Sequence, residues 1–139
     1  MTDFLLALHL VGLMLGAGGG FGSMIVQREA AARPPEIASV LRSLGPAMAN
    51  LSGIGLIVML ATGFVLVFLK YDGFADLPAA FWAKLVFVTT LTLASIGAHL
   101  SYRQIKAGNV AAASRLPILG PTAGISSILA VILAVLAFH

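Results

Sequence analysis

The chain has 139 residues, 60% hydrophobic and 9% charged, with a net charge of +3 and a mean hydropathy of +1.05. That length suits one domain, and no soluble core of this size needs so much apolar surface, so the class is integral membrane. With no cysteine, disulfides, thiolate metal sites and cysteine nucleophiles are excluded. The small positive charge marks topology rather than a nucleic-acid surface.

The first apolar run covers residues 4–26 and contains LHLVGLMLGAGGGFG at 8–22. Asp3 precedes it without a basic residue, and the run is too long for a signal-peptide core, so it reads as mature sequence. Further runs follow at 46–69, 81–102 and 121–138, the last with an alternative start near Leu116. A helix crosses about 30 Å of hydrocarbon in about 20 residues. Backbone groups in lipid need partners within their own segment, and these runs exceed the length of barrel strands, so all four are helices. The expected fold is an all-α, integral membrane four-helix bundle, residues 1–139 forming a single transmembrane domain.

The links differ in charge. Arg28, Arg33 and Arg42, with Glu29 and Glu36, separate the first two spans, and Arg103, Lys106 and Arg115 separate the last two. Lys70 stands against Asp72 and Asp76 in the middle link. Counting lysines and arginines places the first and third links in the cytoplasm, with both termini outward and Trp82 at the outer interface. Arg33-Pro34-Pro35 breaks the first helix. Residues 36–43 suit a short amphipathic surface helix, with Ile37, Val40, Leu41 and Leu44 on one side. Pro46 and Pro121 suit the first turns of the helices they precede.

A shift of 75 residues aligns the two hairpins without a gap. His9-Leu10-Val11 falls on Lys84-Leu85-Val86, Arg28 on Arg103, and Leu44-Gly45-Pro46 on Leu119-Gly120-Pro121. This pattern reads as two parallel-repeat hairpins. Such repeats are related by an axis along the membrane normal, with sites often at their interface.

Ionisable groups inside a membrane are functional candidates. At about 1.5 Å rise per residue, His9 lies roughly 8 Å and Lys84 roughly 5 Å inside the outer boundary, with Thr62 at similar depth. His99 lies about 22 Å further along Lys84's helix, near the depth of Asn50, so His9 and His99 cannot ligate one haem together. His139 ends the fourth span. His9, Gly12, Gly16 and Gly20 share one helix face. That ridge either brings helices together or leaves a flat slot beside the histidine, wide enough for a porphyrin. Val88, Leu91 and Ser95 share Lys84's face, and Thr89, Thr90 and Thr92 add hydroxyls, which in membrane helices often bond back to their own backbone. His9 as an interhelical hydrogen-bonding residue and Lys84 as a snorkelling anchor are the plainer readings.

A neutral imidazole is a common haem ligand. A lysine ligates when deprotonated, or pairs with a propionate while charged. Zinc and copper suit the site less, since neither a deep carboxylate nor a second histidine shares His9's depth. GAGGGFG follows no strand and is not a nucleotide loop.

Three stretches together resemble a known group. They are LHLVGLMLGAGGGFG, LRSLGPAMANLSGIGL and FWAKLVFVTTLTLASIGAHLSYRQIKAG, with RLPILGP before the last span. They resemble the four-helix bacterial membrane proteins of the HemJ type and, more distantly, the membrane domain of CopD-type proteins. At Leu15-Gly16 the chain lacks the tryptophan usual in that family. The resemblance implies haem b ligated through His9, with Lys84 as an essential, candidate catalytic lysine near it; shared helix face and depth add Gly12, Gly16 and Thr62 as residues expected around the cofactor. It also implies oxidation of protoporphyrinogen IX in the bacterial cytoplasmic membrane, with electrons passing to a respiratory acceptor. Beside the lipid bilayer and a tetrapyrrole substrate, a homo-oligomer or a larger membrane complex is an expected partner. Two other readings stay open: a non-enzymatic accessory or scaffold subunit, and a dimeric transporter.

Overall fold

The computed structural model describes residues 1–71, 73–74 and 77–138, with the side chains of Tyr71 and Phe138 left aside. Asp72, Asp76 and His139, which entered the reading of the links and the chain end, lie outside the described residues. Five α-helices follow in chain order: α1 (Thr2–Ala31), α2 (Pro35–Ser43), α3 (Gly45–Tyr71), α4 (Ala79–Lys106) and α5 (Leu116–Phe138). A 3₁₀ helix, Val110–Arg115, leads into α5. Among the described residues there is no strand. Among the described residues four segments are long and apolar enough to cross a membrane, and the protein is a multi-pass, all-helical membrane bundle.

The spanning helices overrun the apolar stretches. Helix α1 continues to Ala31 and α4 to Lys106. Once the backbone is helical, each further residue adds a hydrogen bond at little cost, so the helices stop at explicit breakers rather than at the bilayer edge. Pro34 and Pro35 separate α1 from α2, and Pro35 takes the first helical position. At the end of α4, Gly108 adopts φ +97° and its N–H donates to the Ile105 carbonyl, a left-handed cap.

Helix α2 buries Ala38 against the bundle while Ile37, Val40 and Leu44 stay exposed. Its apolar side therefore faces away from the protein, as suits a helix lying on a bilayer.

Pro121 departs from expectation. It lies inside α5, not in its first turn, because α5 starts at Leu116 and Pro117 occupies that turn instead. Thr122 donates its hydroxyl to the Ile118 carbonyl at 2.8 Å, a side-chain bond within the stretch that proline interrupts.

Packing is unequal around the bundle. Helix α1 lies along α3, and α4 along α5; contacts between these two pairs are far sparser, through α1–α5 and α3–α4. The backbones of the diagonal pairs, α1 with α4 and α3 with α5, stay apart. The two hairpins are thus tight bodies, and the space between them is where a cavity can open.

Glycine sets the tight contact. A Cβ on Gly12 would lie 2.9 Å from the Gly55 carbonyl oxygen, and one on Gly19 would lie 2.6 Å from the Met48 carbonyl oxygen. A Cβ on Gly55 would strike the Gly16 backbone nitrogen. Small residues let two backbones meet closely in a membrane, where hydrophobicity drives no association between helices. The contacting ridge runs through Gly12, Gly16 and Gly19 rather than ending at Gly20, and α3 fills it. Of the two readings of that glycine face, close packing and a flat slot, α3 takes the space beside Gly12 and Gly19. Ser52 reinforces the crossing by donating to the Gly16 carbonyl at 3.0 Å.

Candidate functional site

The open space lies elsewhere. A cavity of about 600 Å³ sits between the two hairpins, in the half of the bundle that holds the chain termini. All four spanning helices line it: Leu6, His9 and Leu13 from α1, Gly63 and Val67 from α3, Lys84 and Val88 from α4, Ala130 and Ala134 from α5. Small-molecule sites commonly enclose roughly 300–1,000 Å³, with mostly apolar walls and a few placed polar groups. This cavity has that character. His9 and Lys84 face it from the diagonal helices α1 and α4.

His9 is half-buried and held from two sides. Its Nδ1 lies 3.0 Å from the Thr62 hydroxyl. That hydroxyl is 2.6 Å from the Val58 carbonyl and 3.3 Å from the Met59 carbonyl, both on its own helix. A carbonyl only accepts, so the hydroxyl hydrogen is committed to α3, and Thr62 accepts from Nδ1–H. This assigns the proton to Nδ1 and leaves the lone pair on Nε2. Beneath the ring lies Gly63; a Cβ there would come within 3.0 Å of His9 Cε1. Glycine lets the imidazole rest against α3 without that tight contact. Thr62 itself is 5% exposed, so its hydroxyl position is fixed by packing as well as by its bonds.

Lys84 stands in the second turn of α4, half-buried, with Nζ 5.5 Å from the centre of the Phe81 ring. Phe74 and Phe81 line the cavity and belong to a longer run of linked aromatic rings. Phe68, Phe74 and Phe81 follow one another at centroid spacings of 5.6 and 6.3 Å, and Trp82 lies 6.1 Å from Phe81. Trp82 is half exposed near the start of α4, a position suited to a membrane interface.

Gly12 and Gly16 do not line the large cavity. They border a small void of about 30 Å³ deeper in the bundle, which shares Leu13, Met59, Leu91 and Ser127 with the large one. Thr89, Thr90 and Thr92 each donate to the carbonyl four residues earlier, so their hydroxyls serve their own helix.

His99 belongs to the other end. Its Nδ1 is 3.0 Å from the Ser95 carbonyl, which fixes the proton on Nδ1. Its ring covers Gly53, where a Cβ would lie 2.9 Å from Cε1. Neither cavity includes His99 or Asn50. Nearby, Tyr102 ties the hairpins together. Gln27 donates to its hydroxyl at 3.2 Å, and the Ser23 hydroxyl is 3.4 Å from it. Gly45 makes the space, since a Cβ there would sit 2.7 Å from the tyrosine oxygen.

Sequence reasoning missed both glycine seats and the Tyr102 bridge. A signal existed: Gly53 and Gly63 lie ten residues, about 15 Å, apart on α3, in the same order of depth as His99 and His9. Among the described residues no three His, Asp or Glu side chains gather as a metal cluster. No protein-family model matches the chain, and neither does any curated protein or solved structure.

Proposed function

We propose that the protein binds haem b in the cavity between its hairpins and serves membrane electron transfer or redox chemistry. The observation that carries this reading is His9: an imidazole lining an apolar cavity, its Nδ1–H held by Thr62 and its Nε2 left as the donor. Metal-binding histidines usually anchor their other ring nitrogen in this way, which fixes tautomer and ring angle. The cavity's volume, apolar walls and aromatic lining suit a flat tetrapyrrole.

In this reading His9 would hold the iron through Nε2, and Thr62 and Gly63 would position it. Haem b, once bound, supplies one-electron chemistry. Lys84, on the opposite wall, offers a cation to the cofactor or a proton-transfer group to a substrate beside it. Leu13, Val88 and Leu91 keep water from the deep side. The HemJ-type resemblance narrows the task to oxidation of a porphyrinogen, with Lys84 as the catalytic candidate. The basic links favour placing the Tyr102 end in the cytoplasm, so that the cavity opens to the outer leaflet of a bacterial inner membrane.

Titrating haem into detergent-solubilised apoprotein tests the reading. It predicts saturable binding at one haem per chain, with a Soret band distinct from that of haem in detergent alone. A titration that never departs from the protein-free curve would refute it.

A further inference from the structure

The end of the bundle away from the large cavity carries a different kind of surface. Helix α2 buries Ala38 and leaves Ile37, Val40 and Leu44 51%, 66% and 45% exposed. Successive residues turn about 100° around a helix, so Ile37, Val40, Leu41 and Leu44 fall within one arc of about 100°. Ala38 points about a right angle away from the middle of that arc. A helix lying flat beside an upright bundle needs this arrangement, with one side on protein and the next on lipid. Ser39 falls opposite the apolar arc, and its hydroxyl turns back to the Glu36 carbonyl at 2.8 Å. The other link at this end repeats the pattern on a smaller scale. Its 3₁₀ helix buries Ala112 and exposes Val110.

Charge surrounds these apolar residues. The two links carry six cations against two acids, Glu29 and Glu36, and every residue of both links is described. Arg33 holds Glu29 at 3.1 Å, and among the described residues no other ion pair forms at this end. Arg28, Arg42, Arg103, Lys106 and Arg115 are all exposed. Apolar side chains ringed by unneutralised cations match a surface that is hydrocarbon beneath and anionic above. A neutral bilayer would use the apolar arc alone. A second copy of the chain docked there would bring two sets of cations together.

We infer that α2 docks on an anionic phospholipid leaflet, its apolar arc seated at the boundary of headgroups and acyl chains and the basic links drawn to the acidic headgroups. This inference is independent of the haem reading. It accords with a cytoplasmic placement of the basic end, because the cytoplasmic leaflet carries the anionic lipids.

The chain has no cysteine, so a single nitroxide can be attached through Val40→Cys or, on the opposite side of α2, through Ser39→Cys. Both positions are exposed, so the label leaves the packed interior alone. The protein is reconstituted into vesicles of equal parts phosphatidylcholine and phosphatidylglycerol. Collisions with dissolved oxygen, relative to those with an uncharged water-soluble nickel chelate, should be several-fold more frequent at position 40 than at position 39. That contrast should fall in phosphatidylcholine alone, and Arg28→Gln combined with Arg42→Gln should lower it in the mixed vesicles. A probe at position 40 as open to nickel as one at position 39 overturns docking on lipid. A probe there sheltered from both reagents overturns it in favour of a protein contact. An equal contrast in both kinds of vesicle overturns the preference for anionic headgroups.

Discussion

His9 and His99 each lay an imidazole over a glycine of α3, Gly63 in one case and Gly53 in the other. Each uses Nδ1 for a hydrogen bond of 3.0 Å. There the likeness stops. His99 bonds to a carbonyl of its own helix and lines neither of the two cavities described above. His9 bonds to a side chain of a different helix and lines the large cavity. The two ends of the bundle differ in the same sense. Tyr102, Ser23 and Gln27 bridge the hairpins at the basic end, while at the other end the hairpins part around open volume. One histidine packs along its own helix and the other borders the large cavity, and what separates them is the neighbouring space, not the residue.

Substitutions put this contrast to the test. The largest effect is expected at the hairpin crossing that supports both histidines. Gly55→Ala sets a methyl group against the backbone of Gly12 and Gly16, which no rotamer relieves. It should destabilise the protein by about 3 kcal/mol or prevent folding, read as lost thermal stability in detergent. Next are the two glycine seats. Gly63→Val should displace the His9 ring and abolish haem binding, whereas Gly53→Val should lower stability and leave the bound spectrum unchanged. If both valine variants lose haem alike, the contrast between the ends is wrong.

Thr62→Val keeps the shape and removes the acceptor for Nδ1–H. Outer-shell partners of this kind are worth about 10- to 100-fold in affinity for the metal group, so haem titration should show a loss of that size. Smaller again is Tyr102→Phe, which strips the hydroxyl shared by Gln27 and Ser23. It should cost about 1 kcal/mol of stability with no change in the spectrum.

Much of this fold is legible in the residues alone. Runs of about 20 apolar residues specify spanning helices because lipid offers the backbone no alternative partner. Helical rise by itself brings His9, Lys84 and Thr62 to one level and sends His99 to another. The rotation of each helix is harder to read. Helix α1 is apolar on every side, so its hydropathy carries no preferred face, and Gly12, Gly16 and Gly19 are as acceptable a ridge as one ending at Gly20. Only the partner helix decides, through the approach of Gly55. The seats at Gly53 and Gly63 are hidden for the same reason: a glycine's role is set by what rests against it. Pro121 shows the limit of local rules, because Pro117 also satisfies the first turn and α5 begins there instead.

On the haem reading it is His9, and not His99, that carries the iron. Optical spectra of wild type, His9→Ala and His99→Ala, purified from haem-replete cells, decide the matter. A Soret band is expected in wild type and in His99→Ala, and none in His9→Ala. A colourless wild type, or a band that persists without His9, would contradict the assignment.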